Sequence, residues 1–323
     1  MSKVEVTVPA PATKAKLDKL RGNIAKVIRG KDDVIEQVVT SFIANGHVLI
    51  EDLPGLGKTT LAYCLARSID CKFARLQFTS DMLPSDVIGV AVYDEIERRF
   101  IFKPGPVFTN ILLADEINRT TPKTQSALLE VMDRGKVTVD AETHDIDAPF
   151  MVIATQNPVD YESAFPLPES QMDRFLMRIQ MGYPGYEYEL EILQQGSNNY
   201  DKLEISPVLT QQEVVEIQER VQQVHVDESI LHYILKIVQA TRTEAEFRSG
   251  VSTRASIALK HAVQAAALVN GRAFVVPEDV GRVYIPVLTH RISLRRQTSD
   301  PLEERRSVEG LLHKIFDSIP MPT

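Results

Sequence analysis

The chain contains little cysteine and no long hydrophobic segment. Its two cysteines, Cys64 and Cys71, form no CxxC pair and have no histidine at ligand spacing, which excludes a disulfide-stapled scaffold and argues against a zinc site. Its longest apolar runs, such as Ile111–Ala114 and Ala265–Val269, are far shorter than the ~20 residues of a membrane-spanning helix. Residues 1–13 have no apolar signal-peptide core. The sequence therefore predicts a cytoplasmic protein without membrane insertion.

Basic residues are not in excess. The chain has 36 lysines and arginines against 44 acidic residues, which gives a formal net charge of -8. This balance disfavours non-specific attraction to nucleic acid or to an anionic membrane, so no nucleic-acid partner is expected. The densest basic stretch, Arg291–Arg306, is interrupted by three acidic residues and is predicted to be a solvated helix face with its connecting loop.

The first part of the chain alternates strands with helices. The whole chain, with 323 residues, is too long for one hydrophobic core, and its length suggests two domains. Lys14–Arg29 and Asp32–Ala44 carry apolar residues at helical spacing, and helices are also predicted at Thr59–Ile69 and Pro122–Asp133. This alternation favours an α/β fold, a parallel sheet covered on both faces. The predicted strands are His47–Glu51, Phe73–Phe78, Ile111–Ala114, Phe150–Ala154 and Phe175–Met181.

Two segments break the alternation, and the last third is predicted to be all-α. Val90–Phe102 and Val137–Ile146 have β-rich ends around polar turns and are predicted hairpins. The boundary between the α/β and the all-α parts is expected near Tyr183–Gly185, and no strands are expected beyond Pro184. The predicted helices there are Glu187–Gln195, Gln211–Gln222, Glu228–Thr241, Ser252–Val269, Pro277–Leu288 and Leu302–Ile315.

A phosphate-binding loop is predicted after the first strand. His47–Thr60 (HVLIEDLPGLGKTT) is an apolar strand, a glycine-containing loop and a Lys-Thr pair that opens a helix. In such a loop the backbone N–H groups face the anion, Lys58 reaches the β- and γ-phosphates, and the Thr59 hydroxyl can coordinate Mg²⁺. The glycines let the backbone approach the phosphates. The predicted nucleotide-binding residues of the loop are Pro54, Gly55, Leu56, Gly57, Lys58, Thr59 and Thr60.

The loop departs from the pattern GxxxxGK[ST] at one position. Asp52 stands where the first glycine belongs. A carboxylate beside a triphosphate would repel it. We therefore expect the Asp52 side chain to point away from the loop or to lie at its rim.

A pair of acidic residues follows another predicted strand, about 55 residues after the loop. Ile111–Glu116 (ILLADE) is an apolar run that ends in Asp115 and Glu116. In phosphate-loop enzymes the first acid helps to hold Mg²⁺, and the second can orient or deprotonate the attacking water. Acids at strand ends are common, but together with Lys58 and Thr59 they predict an Mg²⁺–ATP site.

These motifs, taken in order, resemble those of the AAA+ ATPases and, within that superfamily, of the MoxR group. The resemblance extends from about Leu17 to the end of the chain. It implies a core with a parallel five-stranded sheet flanked by helices, followed by a C-terminal all-α lid domain. The motifs are LIEDLPGLGKTTLA (Leu49–Ala62), FKPGPVFTNILLADEINRTTPKTQSALLEVM (Phe102–Met132), IATQNP (Ile153–Pro158), PLPESQMDRF (Pro166–Phe175) and STRASIAL (Ser252–Leu259).

The resemblance also implies a division of the chain. We expect a flexible N-terminus over residues 1–13 and a nucleotide-binding core over 14–183, with hairpin inserts near 90–102 and 137–147. A helical linker is expected over 184–225 and the lid domain over 226–323.

Further site residues come from the resemblance alone. Asn157 matches sensor 1, which holds the attacking water, although an asparagine before proline is otherwise a common turn former. Arg174 matches the arginine finger, which reaches the γ-phosphate of a neighbouring subunit. Arg119 is a candidate for a further charge acting across the interface.

Arg254 matches sensor 2, which contacts the phosphates from the lid domain. Local physics agrees with a bound anion there. Ser252 is a good N-cap, which places Arg254 in the first turn of a helix, where the helix dipole disfavours a cation. A nearby phosphate would offset that conflict.

The resemblance favours a hexameric ring that hydrolyses ATP to remodel or activate partner proteins, or to assist the insertion of cofactors or metals into them. Such rings often work with a partner that carries a von Willebrand factor A (VWA) domain. The alternatives are an ATPase subunit of a metal chelatase, a nucleic-acid motor and a scaffold that binds ATP with little turnover.

The two hairpins match inserts that face the pore or substrate side of a ring, or they are stabilising surface hairpins. The second hairpin carries acids that suit a nucleic-acid backbone poorly: Asp140, Glu142, Asp145 and Asp147.

Overall fold

A computed structural model describes residues 10–157, 165–195, 205–296 and 300–322. The N-terminal part contains a central sheet, two hairpins and their helices. Its elements are α1 (Ala10–Ala25), α2 (Asp32–Ile43), β1 (Val48–Glu51), α3 (Lys58–Ser68), β2 (Phe73–Gln77), α4 (Pro84–Ile88), β3 (Gly89–Asp94), β4 (Arg99–Pro104), β5 (Ile111–Asp115), α5 (Pro122–Arg134), β6 (Lys136–Val139), β7 (Glu142–Asp145), β8 (Met151–Gln156), α6 (Glu169–Met172) and β9 (Met177–Ile179).

The central sheet has the order β2-β5-β8-β1-β9, and all its pairings are parallel. The predicted α/β fold with a five-stranded parallel sheet is confirmed. The inner strands β5, β8 and β1 are almost entirely buried because helices cover both faces, and they read as continuous apolar runs. The edge strand β2 instead exposes Arg75 and Gln77.

Successive residues of the inner strands pack into two apolar clusters. Val48, Ile50 and Ile153 face a cluster formed with α1, α2, α3 and the C-terminal helices. Leu49 and Val152 face the opposite cluster, which includes residues of α5. Because parallel strands end at one edge of the sheet, this packing aligns the carboxyl ends of β1, β5 and β8.

The C-terminal part is mostly helical and packs on the first of these clusters. The helix α8 buries Val214, Ile217 and Val221 and contacts α2 and α10. It lies in the predicted linker of residues 184–225, of which residues 196–204 are outside the described residues. The elements are α7 (Tyr186–Gln195), α8 (Gln211–Gln223), α9 (Glu228–Thr243), β10 (Phe247–Ser249), α10 (Thr253–Val269), α11 (Pro277–Leu288), β11 (Ser293–Leu294) and α12 (Pro301–Ser318).

Two sequence expectations about secondary structure are wrong. The helix α1 begins at Ala10, so residues 10–13 are helical and Thr13 is buried, whereas residues 1–9 are outside the described residues. Strands also occur beyond Pro184, because β10 and β11 pair antiparallel. Both strands are too short to give a periodic signal.

The basic stretch Arg291–Arg306 is only partly solvated, contrary to the prediction. The Arg291 side chain is 3% exposed and donates from Nε to Asp173 Oδ1 at 2.6 Å. The Arg305 side chain is also buried and donates from Nε to Glu309 Oε1 at 2.7 Å. Charge counting along the sequence cannot distinguish these paired arginines from solvated ones.

Both predicted hairpins are present. The strands β3 and β4 pair antiparallel, as do β6 and β7. His144 of the second hairpin stacks on Phe102 of the first, with ring centroids 4.0 Å apart. Across the described ranges, no helix is both long and apolar enough to cross a bilayer.

Candidate active site

The loop between β1 and α3 has the conformation that phosphate binding requires. Gly55 and Gly57 have φ of 84° and 87°, in the left-handed region that residues with a Cβ rarely adopt. The helix α3 begins at Lys58, directly after Gly57. The unpaired N–H groups of the first helical turn are therefore placed at the loop.

Lys58 is held against the loop that it follows. Its side chain is buried, and Nζ donates to the backbone carbonyl of Asp52 at 2.6 Å. Burial lowers the pKa of Lys58, while the charges of Asp52, Asp115 and Glu116 oppose that shift. An anion brought to Nζ would offset this cost of burial, which suits a phosphate ligand.

Asp52 points away from the loop interior, as predicted from the sequence. Its Oδ2 accepts hydrogen bonds from the backbone N–H groups of Met181 and Gly182, at 2.6 and 2.7 Å. Its Oδ1 accepts a longer one from Leu53 N at 3.3 Å. The carboxylate thus caps the chain just beyond β9, and this explains why an acid can replace the first glycine of the motif.

We expect the substitution Asp52→Gly to change stability more than nucleotide affinity. Two partly buried N–H groups would lose their acceptor, which should lower the free energy of unfolding by about 1–3 kcal/mol. The dissociation constant for ATP should change only a few-fold. Thermal unfolding and nucleotide titration measure the two effects, and Asp52→Asn, which keeps an acceptor oxygen, is the matched control. A hundredfold tightening of ATP binding, about 2.7 kcal/mol, would show instead that Asp52 opposes the phosphates.

Asp115 and Glu116 lie at the carboxyl end of β5, beside the loop. Asp115 Oδ1 accepts a hydrogen bond from Thr155 Oγ1 on β8 at 2.6 Å, and the same oxygen of Thr155 accepts one from Glu116 N at 2.8 Å. Glu116 has φ 57° and ψ 50°, a left-handed conformation that costs about 1–2 kcal/mol for a residue with a Cβ. Thr155 stabilises this turn, which directs the two successive acids to the same cleft.

Two residues of β2 that were not predicted from the sequence complete the contacts of the acids. Arg75 Nη2 lies 2.6 Å from Asp115 Oδ2, and Gln77 Nε2 donates to Glu116 Oε2 at 2.6 Å. Arg119 Nε also lies 3.1 Å from Glu116 Oε2, within the same subunit. The sequence contained one signal for Arg75 and Gln77: they are polar residues at alternating positions, so their side chains lie on one face of β2, whose carboxyl end lies beside that of β5.

The structure brings most of the predicted site residues to one cleft. Asn157, directly after β8, lies there with the loop and the acids. Of the predicted loop residues, Leu56 does not line the cleft. The lining residues are Pro54, Gly55, Gly57, Lys58, Thr59, Thr60, Arg75, Gln77, Asp115, Glu116 and Asn157.

Arg174 and Arg254 do not line this cleft. Both meet Asp133, near the end of α5. Arg174 Nη1 pairs with Asp133 Oδ2 and donates to Leu129 O at 2.7 Å, and Arg254 Nη2 lies 3.2 Å from Asp133 Oδ1. The predicted N-cap of α10 is present, since Ser252 Oγ accepts from Ala255 N at 3.1 Å. In this arrangement Arg254 is paired with a carboxylate and not placed at the loop of its own subunit.

The chemistry of the cleft fits a magnesium nucleotide. The left-handed glycines, the start of α3 and buried Lys58 offer donors and positive charge to phosphates. The Thr59 hydroxyl and the Asp115 carboxylate are oxygen ligands of the kind that Mg²⁺ prefers. The residues present therefore fit a nucleotide with a bound magnesium ion.

Comparisons with known proteins agree with this geometry. Residues 47–177 match the model of the ATPase family associated with various cellular activities (AAA), and residues 239–314 match the AAA lid domain. The protein YeaC of Bacillus subtilis is 44% identical over 95% of each chain. The chaperone MoxR1 of Mycobacterium tuberculosis is 36% identical over 93% of this chain and 80% of its own length.

A solved structure shows the same fold. The crystal structure of an inferred ATPase from Cytophaga hutchinsonii is 37% identical, covers 98% of this chain and 97% of its own, and superposes with a TM-score of 0.87. The lid-domain match identifies the C-terminal helices as an AAA lid. By its motifs, its fold and these relatives, the chain belongs to the MoxR family of AAA+ ATPases.

Proposed function

We propose that this protein hydrolyses ATP with Mg²⁺ in an oligomeric ring, with a hexamer favoured, and uses the energy to remodel or activate partner proteins in the cytoplasm. The observation that carries the ATPase proposal is the cleft in which the loop, Lys58, Asp115, Glu116 and Asn157 meet at the carboxyl ends of the parallel strands.

Each residue of the cleft has a proposed task. The loop amides and Lys58 bind the phosphates. Thr59 and Asp115 would hold Mg²⁺, which when bound neutralises charge on the phosphates. Glu116 accepts a proton from the attacking water, and Asn157 orients that water. Gln77 keeps the Glu116 carboxylate in place by its hydrogen bond at 2.6 Å.

The substitution Lys58→Ala tests the proposed nucleotide site. It removes both the charge that faces the phosphates and the hydrogen bond to Asp52 O, so we expect ATP binding to weaken at least about tenfold, from the loss of a charge-assisted contact. Titration with a fluorescent ATP analogue measures the change. Lys236→Ala, which removes an exposed lysine from α9, is the control. Unchanged affinity in Lys58→Ala would contradict the proposed phosphate site.

We propose that Arg174 and Arg254 act together at the interface between subunits. The supporting observation is that both arginines meet the same carboxylate, Asp133, and that neither lines the cleft of its own subunit. Arg174 Nε also has no hydrogen-bond partner among the described residues. Because this atom is buried while Arg174 is paired with Asp133, a phosphate of the neighbouring subunit would provide the partner once the side chain leaves that carboxylate.

A protein client is favoured over nucleic acid. The first hairpin exposes Tyr93, Ile96 and Phe100, by 50%, 93% and 69%, which is apolar surface suited to polypeptide. The second hairpin is acidic, which disfavours a phosphate backbone.

We propose a VWA-domain protein as the partner that brings the client. ATP turnover with and without single-stranded DNA discriminates, because strong stimulation by DNA would favour a nucleic-acid motor.

A further inference from the structure

Arg75 forms an ion pair with one carboxylate oxygen of Asp115, the proposed magnesium ligand. Its Nη2 and Nε lie 2.6 and 3.2 Å from Asp115 Oδ2. The other oxygen of Asp115, Oδ1, accepts the hydrogen bond from Thr155 at 2.6 Å. Both carboxylate oxygens are therefore engaged by the two strands that flank β5: Oδ1 by the Thr155 hydroxyl of β8 and Oδ2 by the Arg75 guanidinium of β2.

This ion pair lies inside the cleft and does not belong to the apolar core. The Arg75 side chain is 49% exposed and the Asp115 side chain 13% exposed. Both line the cleft beside Lys58 and Thr59. A magnesium ion at Asp115 would meet the guanidinium at close range, and two cations at one carboxylate oxygen repel each other.

Arg75 also connects Asp115 with Glu116. Its Nη2 donates to Gln77 Oε1 at 3.2 Å, and this contact fixes which way the Gln77 amide is turned. In that orientation the Gln77 NH₂ group faces Glu116 Oε2. The two acids at the end of β5 are thus held by a pair of side chains from β2.

We propose that Arg75 is the internal counter-cation of Asp115 in the nucleotide-free site and that Mg²⁺ displaces it when the nucleotide binds. Arg75 is then a positioning residue that weakens the contribution of Mg²⁺ to nucleotide affinity. The proposal rests on the proposed function, because it takes the cleft as an Mg²⁺–ATP site.

The test compares nucleotide affinity with and without the metal. The dissociation constant of mant-AMP-PNP, a fluorescent non-hydrolysable ATP analogue, is measured on the full chain in EDTA and in excess Mg²⁺, and the ratio of the two constants reports what the metal contributes. In Arg75→Gln, no guanidinium neutralises the Asp115 carboxylate, so Asp115 repels the metal-free triphosphate more strongly. The same carboxylate is then free to bind Mg²⁺. We expect the ratio to rise about three- to tenfold over that of the wild type.

Two further variants separate this role from others. Arg75→Lys keeps the charge, so its ratio should stay closer to that of the wild type than the ratio of Arg75→Gln. Arg99→Gln removes an exposed arginine from β4 and should leave the ratio unchanged. Thermal unfolding of each variant verifies that it is folded.

The possible outcomes distinguish the two proposals. If Arg75 contacts the phosphates directly, Arg75→Gln weakens binding equally in both media and the ratio stays constant, which overturns the counter-cation role. A ratio that falls also overturns it. If the wild type binds the analogue in neither medium, the nucleotide site itself is refuted, and the role of Arg75 with it.

Discussion

Replacing Glu116 with glutamine should reduce ATP turnover by at least about a hundredfold, the lower range for the loss of a general base, while ATP binding changes only a few-fold. The glutamine keeps the length of the side chain and an oxygen that can accept from Gln77 Nε2. The phosphate loop and Lys58 are untouched. Phosphate release measured at saturating Mg²⁺ and ATP gives the turnover, and titration gives the affinity.

The control for this variant is Glu216→Gln, which neutralises an exposed acid on α8. It should match the wild type in both measurements. Equal turnover in the wild type and Glu116→Gln would show that Glu116 does not activate the water. A large loss of ATP affinity in Glu116→Gln would show that Glu116 contributes to binding.

The substitution Arg174→Ala should also abolish most turnover, and Glu116→Gln should restore part of it when the two variants are mixed. A cation supplied across an interface is worth about 10³–10⁵ in rate in related phosphoryl-transfer systems. A subunit with Arg174→Ala keeps an intact cleft, and one with Glu116→Gln keeps an intact arginine. A mixed ring therefore contains interfaces in which both are present.

Turnover per subunit should rise with protein concentration as the ring assembles. Arg248→Ala, which removes a half-exposed arginine paired with Glu169, controls for the loss of charge. The role across the interface is refuted by turnover that does not depend on concentration, or by no recovery in mixed rings that sedimentation shows to have formed. Because Arg174 is paired with Asp133 in its own subunit, it must leave that carboxylate to act on a neighbour.

Local patterns in the sequence predicted the sheet and the loop for identifiable reasons. The strands β1, β5 and β8 are buried on both faces and read as unbroken apolar runs. The left-handed positions of the loop require glycine, and glycine is visible in a sequence. Asp115 and Glu116 were predicted from their position at the end of a strand, whereas Asn157 was predicted from the family resemblance alone.

Partners that are distant in the chain could not be predicted in the same way. No periodicity indicates that Arg75 meets Asp115, or that Arg174 and Arg254 share Asp133. Such contacts depend on the strand order and on how the lid packs. The burial of Arg291 was missed for the same reason, since its partner, Asp173, is 118 residues away.

The contacts of Arg291 also couple the lid to the segment that carries Arg174. The turn after α11 binds the segment next to Arg174: His290 Nε2 lies 2.9 Å from Phe175 O, and Arg291 donates to Phe175 O at 2.7 Å as well as to Asp173. A hydrogen bond that involves a charged group such as Arg291 contributes about 1.5–3 kcal/mol. Arg174 lies between these two bound residues, so a rotation of the lid would move its backbone. Under the proposed role of Arg174 across an interface, we expect the position of one subunit's lid to determine how far this side chain extends toward the next subunit.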